Sequence, residues 1–370
     1  MKNTFGNALT VTIFGESHGP YIGAVLDGMA PGIPVSEEFI RKQLFLRRPQ
    51  GAVSTARQEQ DEFTIVSGVF EGKTTGTPLA ILIPNKDVNS RDYSETRFLA
   101  RPGHADYTAY MKYHGFEDYR GGGHGSGRIT AALVAAGAVL LPALREKGIR
   151  IGTHIRTLGS VSDRDFSEDP ETLTEELCAL NEKVFAVLSD DAGEKMREEI
   201  LRAKEEQDSV GGTLETAVTG LPAGLGEPWF DSVESMLSHA LFSIPGVKGV
   251  EFGDAFARVS GRGSLYNDTF EIDPGTGSVR TATNHNGGVN GGITNGMPVV
   301  FRTAVKPTPS ISRPQQTVDF GKMENAEIAI AGRHDPAIIH RARVVQDSVT
   351  ALVLADLLTL RYGTDYLTNS

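Results

Sequence analysis

Phe63-Thr-Ile-Val-Ser-Gly-Val-Phe70 and Thr77-Pro-Leu-Ala-Ile-Leu-Ile83, joined through Gly72 and Gly76, are two strand-like runs with no helix between them. Short apolar and β-branched runs bounded by turn residues read as paired strands. Upstream, Val11–Phe14 is another such run, ending in Gly15-Glu16-Ser17-His18-Gly19, which puts His18 at a strand end on a loop. Ser36-Glu-Glu opens an amphipathic helix through about Leu46, with a serine cap and acids in its first turn. That helix delivers Arg47-Arg48-Pro49. Downstream the text predicts a helix over Ile129–Leu144 and strands over Ile149–Ile155 and Gly212–Thr219. A helix follows over Asp231–Phe242, with Asp231 as its cap, then strands over Val247–Ser260 and Met297–Ala304. Pro336–Leu360 reads as a long closing helix with Gly363 just past its end. Strands fall in adjacent pairs as often as they alternate with helices, which favours α+β over a doubly wound sheet. No repeat or low-complexity linker divides the chain, so one domain over 1–370 is expected.

Hydrophobic residues at 39% and charged residues at 22% describe an ordinary globular protein with material for a sizeable core. One cysteine, Cys178, excludes an intrachain disulfide framework and any Cys-rich metal site, and suits a reducing cytoplasm. Met1-Lys-Asn-Thr-Phe-Gly lacks the apolar stretch of a secretory signal. Ile129–Leu144 is short for a bilayer and bracketed by Arg128 and Arg145, so a buried helix is expected and no membrane. The net charge of -11 is unevenly placed: residues 161–210 hold 16 acidic and 6 basic side chains. That stretch reads as an acidic helical excursion at about 161–208, with Asp169-Pro170 opening one helix and Leu188–Asp208 forming another. No extended basic face emerges, which argues against nucleic acid as a partner.

The chemistry concentrates elsewhere. Arg101-Pro-Gly-His104-Ala-Asp106 is followed by Arg120-Gly-Gly-Gly-His124-Gly-Ser126-Gly-Arg128. Guanidinium forks suit phosphates and carboxylates, glycines let backbone N–H groups approach an anion, and histidine moves protons near neutral pH. Three glycine-rich stretches each hold or adjoin a histidine: His18, His124 and His285. His18 and His104 sit among small residues on loops, with Glu16 and Asp106 near enough in sequence to orient an imidazole. His114, His154 and His239 read as structural or surface residues, and His340 borders Arg341. A third constellation is Lys306-Pro-Thr308-Pro-Ser310 with Arg333-His334-Asp335-Pro336 and Arg341. There Arg333 and Asp335 could pair with each other, or Asp335 could cap the closing helix. Neither a P-loop nor a dinucleotide fingerprint is present. No metal-ligand spacing appears, so no catalytic metal is expected. Serine catalysis through Ser17 and His18 is disfavoured, because neighbours in a strand-like segment point apart and no G-x-S-x-G elbow exists. Together the motifs point to a site for an anionic, phosphorylated small molecule.

In this order the motifs resemble those of the chorismate synthase family. The matching text is Phe14-Gly-Glu-Ser-His-Gly19, Arg47-Arg-Pro49, Ser67-Gly-Val-Phe-Glu-Gly72, Arg101-Pro-Gly-His-Ala-Asp-Tyr-Thr108 and Tyr119-Arg-Gly-Gly-Gly123. It continues through Gly224-Leu-Gly-Glu-Pro228, Val247-Lys-Gly-Val-Glu251, Asn284-His285, Gly291-Gly-Ile-Thr-Asn-Gly296, Lys306-Pro-Thr-Pro-Ser310 and Arg333-His-Asp-Pro336.

The resemblance implies helices sandwiched between antiparallel β-sheets, a cytoplasmic homotetramer, and a lyase of aromatic amino-acid biosynthesis. The implied reaction is anti-1,4-elimination of phosphate from 5-enolpyruvylshikimate-3-phosphate, requiring reduced FMN without net redox change. By resemblance, NADPH would serve as reductant, directly or through an external flavin reductase. By resemblance the catalytic residues are His18, His104 and Asp335. His104 would sit near flavin and leaving group, His18 would stabilise charge on the reduced flavin, and Asp335 would help the flavin take the substrate proton. The flavin would be held by His124, Gly125, Ser126, Gly291, Lys306, Pro307, Thr308, Pro309, Ser310 and Arg333. Arg47, Arg101, Arg128 and Arg341 would hold substrate or NADP, with Arg48 and Arg57 as secondary candidates. Two departures stand out: His124-Gly-Ser-Gly-Arg128 replaces R-S-S-A-R, and Ser243-Ile-Pro-Gly246 replaces S-I-N-A. The alternative readings are a flavin reductase on the same FMN site and a non-catalytic anion- or flavin-binding protein. Retention of His18, His104 and Asp335 together argues against the latter.

Overall fold

The computed structural model describes residues 2–51, 53–54, 60–86, 97–330 and 335–368. Two antiparallel five-stranded sheets enclose a layer of helices. The first sheet runs Thr4–Phe5, Thr10–Gly15, Tyr21–Asp27, Leu79–Pro84, Thr64–Ser67 in spatial order. The second runs Val247–Phe252, Val299–Val305, Gly212–Thr219, Arg150–Leu158, Val161–Ser162. Strand alternation explains which face each sheet buries: Ile22, Ala24 and Leu26 are buried opposite Ile83, Ile81 and Leu79. The first strand pair of the sequence reading does form, Thr64–Ser67 against Leu79–Pro84. Its first member ends earlier than expected, because Gly68 breaks the run and Val69–Phe70 turns away to pair with Lys73–Thr74.

Helix Thr130–Glu146 lies against the first sheet and helix Ile339–Tyr362 against the second, and the two pack on each other. A Cβ at Gly137 would stand 2.5 Å from Ser348 Cβ and 2.6 Å from its Cα, so only glycine allows that crossing. With its preceding turn, Gly127–Glu146 reaches 20 residues, longer than expected and apolar enough to cross a membrane by length and composition. Of its most apolar 18-residue window, 83% is buried inside the protein, as a core helix would be. Helix Glu37–Arg47 completes the layer near the site, with Ser36 accepting from Phe39 N at 3.1 Å. At the other end of the chain, the buried carboxylate of Asp356 accepts the amides of Asn7, Ala8 and Leu9, tying the N-terminal turn to the closing helix.

The acidic stretch forms helices Pro170–Leu180 and Asp190–Glu205, capped by Asp169 and Ser189. Leu173 and Leu177 bury against Ala217 of the second sheet, while Met196 and Ile200 join the main core. Two boundaries differ from expectation. Helix Val233–Leu241 is capped by Ser232, accepting from Ser235 N at 3.0 Å, and not by Asp231. The strand from Val247 stops at Phe252, where the chain turns into the short helix Ala255–Arg258.

Candidate active site

The end of the first sheet positions His18. Strand Thr10–Gly15 runs into a turn closed by Gly19 N donating to Glu16 O at 3.0 Å. Because residues 16–19 form a turn and not a strand, Ser17 and His18 meet: Ser17 Oγ is 3.0 Å from His18 Nδ1. This corrects the expectation that they point apart. The Ser17 hydroxyl also reaches the carbonyls of Arg120 and Gly121 at 3.1 and 3.2 Å, so it accepts from Nδ1–H of His18. Gly121 (φ +59°) lies directly over the ring: a Cβ there would be 2.3 Å from His18 Cε1. His18 is therefore buried one layer behind the wall that Gly121 and Gly122 present to a chamber of about 1080 Å³.

That chamber gathers most of the expected residues. Arg47, Arg101, His104, His124, Gly125, Ser126, Arg128, Lys306, Pro309, Asp335 and Arg341 all line it. Three-ten turns over Arg120–Gly125 and Gly127–Ile129 feed the core helix and bring His124, Ser126 and Arg128 to the wall. His124 Nδ1 is 2.7 Å from Gly15 O, which it meets as a donor. Helix Asp106–Tyr113 buries none of its residues and covers one side through Thr108, Ala109, Lys112 and Tyr113.

Partners differ from the sequence reading in instructive ways. Asp106 forks onto Arg101, with Arg101 Nε and Nη2 donating at 2.9 and 2.7 Å. The Nε2 of His104 meets instead the hydroxyl of Ser310 at 2.8 Å. Lys306 follows the strand Val299–Val305 and donates through Nζ to Gly103 O at 2.6 Å. Pro307, Thr308 and Ser310 stand behind the lining rather than in it, and Thr308 Oγ1 is buried without a hydrogen-bond partner among the described residues. Asp335 does not cap the closing helix, whose N-cap is Ile338; its carboxylate bonds Arg341. Arg341 Nε in turn donates to Arg47 O at 2.9 Å. Gly291 sits in the tight turn between Val289–Asn290 and Ile293–Thr294, away from the chamber lining. Arg333, His334 and Arg57 lie outside the described residues.

Asp61, Arg97 and Lys112 are among the lining residues that escaped the sequence reading. Asp61 is buried where Arg47, Arg48 and Arg128 converge. Its surroundings, Gln58-Glu59-Gln60-Asp61-Glu62, look like surface text, so no local signal marks it. Arg97 packs its guanidinium between the rings of Phe98 and Tyr119, 5.1 and 4.8 Å from their centroids. Lys112 projects from the covering helix. Two histidines outside the wall are more constrained than expected. His340 is buried against Ser54 Oγ at 2.8 Å, and burial, then the charges of Arg341 and Arg197, push its pKa down to about 3. His154 lies between Asp163 and Glu215, each at 2.9 Å. Burial opposes its charge, but the bonds from both carboxylates outweigh that and raise its pKa.

A glycine-walled chamber lined by two histidines, carboxylates and several guanidiniums can bind a multiply charged anion and move a proton at its leaving group. Known proteins of this shape and sequence agree on one family. The chorismate synthase family profile matches residues 9–359. Over 356 residues the chain is 48% identical to a chorismate synthase of Pyrococcus abyssi, covering 96% of this chain and 97% of that one. It is 47% identical to one from Thermococcus gammatolerans over the same length, with the same coverage. A crystal structure of chorismate synthase superposes with a TM-score of 0.77 at 31% identity, covering 98% of this chain and 95% of the other. With a profile spanning nearly its whole length and relatives this similar, the chain belongs to the chorismate synthase family.

Proposed function

We propose that the protein converts 5-enolpyruvylshikimate-3-phosphate to chorismate by anti-1,4-elimination of phosphate, with reduced FMN bound and no net redox change. The observation that carries this is the convergence of His104, Asp335, Lys306 and four arginines, 47, 101, 128 and 341, on one chamber. A substrate with one phosphate and two carboxylates needs several guanidiniums to hold it, and bidentate forks fix its orientation as well as its charge.

The chamber suits a flavin together with that substrate. Its roughly 1080 Å³ exceeds what one drug-sized ligand occupies. A Cβ at Gly125 or Gly127 would meet nothing within 4 Å, leaving backbone open to a ligand. His124, Gly125, Ser126, Lys306 and Pro309 would hold the flavin, with Pro307, Thr308 and Ser310 behind them and Arg333 as a further member of the set. The chemistry reduced FMN would supply there is electron density for the substrate as its C–O bond breaks and a site for the ring proton.

The chain's own residues do the remaining work. His104, held through Ser310, gives a proton to the leaving phosphate oxygen. Asp335, held by Arg341, keeps a carboxylate where the ring proton leaves. His18 would stabilise the charge developing on the reduced flavin from behind Gly121. Arg47, Arg101, Arg128 and Arg341 bind and orient the anion and hold the departing phosphate.

The cytoplasmic homotetramer is part of this reading. Trp229, Phe230, Phe256 and Leu265 are 70 to 90% exposed in the single chain, an apolar exposure that subunit contact would cover. Sedimentation at micromolar concentration tests it, with a monomer as the adverse result. The reaction itself is tested anaerobically, with chemically reduced FMN, following phosphate release and chorismate absorbance. Product with reduced but not oxidised flavin is expected; flavin binding without phosphate release overturns the reading. Adding NADPH with oxidised FMN then shows whether the protein reduces its own flavin or relies on an external reductase.

A further inference from the structure

Among the described residues, Asp61 is a carboxylate on which three arginines of the chamber converge. Its side chain is 0% exposed although the residue borders the chamber. Arg47 Nη1 approaches it at 3.4 Å, Arg48 Nε at 3.9 Å, and Arg128 Nη1 bonds its other oxygen. Asp61 holds this position with φ at 46°, in the left-handed region that non-glycine residues seldom occupy. Backbone strain at such a residue persists only when its surroundings over-determine it.

The rest of the cluster shows what the carboxylate does. Arg47 is fixed on its far side by Thr130 Oγ1 at 2.9 Å and Gly127 O at 2.8 Å. Arg128 is fixed by Asn85 Oδ1 at 3.0 Å. Those partners are neutral, and Asp61 sets a negative charge between the three mutually repelling guanidiniums. Like charges so close in a partly dry site repel strongly.

We propose that Asp61 is a positioning residue: it aims Arg47 and Arg128 at the substrate anion and holds the cationic wall together. It does so by cancelling part of the chamber's attraction for anions, so orientation is gained at the expense of affinity. This rests on the elimination reaction proposed above. A carboxylate that only stabilised the fold would still shift anion affinity through its charge, but would leave turnover of the folded protein unmoved.

Asp61→Asn keeps the shape and removes the charge, which gives opposite signs to binding and turnover. Inorganic phosphate, titrated calorimetrically, should bind the variant at least about 3-fold more tightly, since the chamber gains one positive charge. Turnover with reduced FMN should fall at least about 10-fold, since the guanidiniums are no longer aimed. Asp61→Glu, which retains the charge, should return phosphate affinity to the wild-type value and recover part of the turnover. Unchanged or weakened phosphate binding in Asp61→Asn overturns the proposal, as does turnover within about 2-fold of wild type. Should Asp61→Asn fail to fold, Asp61→Glu decides alone: wild-type turnover there overturns the proposal, and reduced turnover with normal phosphate binding upholds it. A wild-type protein that binds phosphate but forms no product refutes the reaction, while the phosphate comparison still decides Asp61.

Discussion

The Nε2 of His104 and the hydroxyl of Ser310 lie 2.8 Å apart across 206 residues of chain. This bond joins the Arg101–Asp106 segment to the proline-stiffened Lys306–Ser310 segment, and Lys306 Nζ on Gly103 O repeats the tie beside it. A general acid must be held at its leaving group, and here both ends of the loop are pinned.

His104→Ala is accordingly expected to leave flavin binding nearly intact while turnover falls at least about 10-fold, at the low end of acid–base effects or below it. Anaerobic single-turnover kinetics with a flavin titration check both halves. Turnover equal to wild type removes His104 from the mechanism.

Gly121→Ala addresses His18 without touching it. The new methyl would sit 2.3 Å from His18 Cε1 and 2.7 Å from Ser17 Oγ, on a backbone with φ at +59°. A loss of about 1–3 kcal/mol is expected from strain at that conformation. Denaturant unfolding should show it, along with a drop in turnover from the displaced imidazole; a variant as stable as wild type means the loop relaxes freely.

His340 provides an acid-side test. Its pKa is depressed in the fold, so its contribution is fully present above about 6.5 and is lost as pH falls toward about 3. A shift of that size corresponds to a stability loss on the order of 5 kcal/mol when fully developed. His340→Phe lacks the titration, so its stability relative to wild type should improve steadily from pH 6.5 to 4. Parallel pH profiles for the two proteins count against the buried neutral imidazole.

His154 has the opposite sign. Its pKa is raised above 6.5, so its stabilisation is full below that value and lost as pH rises through the folded pKa. Burial pushes Asp163 and Glu215 up, but their bonds to His154, with the Leu188 and Ser189 amides on Asp163 and Arg302 on Glu215, outweigh it and lower both. They therefore stabilise above their usual 3.8 and 4.5 and fail as pH falls. Wild type should therefore exceed His154→Gln most between those limits, near pH 5 to 6. Asp163 also accepts the amides of Leu188 and Ser189, so proteolysis within 161–208 should quicken in the variant.

Much of this molecule follows from local chemistry, which a sequence carries openly. Gly212–Thr219 forms the strand its text predicts, Ser36 caps the helix it precedes, and Gly363 ends the last one. Periodicity, caps and turn residues act over a few positions, so these elements and the Arg, His and Gly motifs are legible before folding. The pairing of charges is not local. Asp106 stands two residues from His104 yet binds Arg101, and Asp335 turns to Arg341 instead of capping its helix. Gly291 reads like the other glycine runs but lies off the chamber wall, and Asp61 reads like surface yet sits under three arginines. Such partners are chosen by which segments the two sheets and the helices between them bring within about 3 Å, the range over which a hydrogen bond acts. The sequence by itself determined the elements and the kinds of groups available. Only the tertiary structure decided which groups face one another, because that depends on packing between segments hundreds of residues apart.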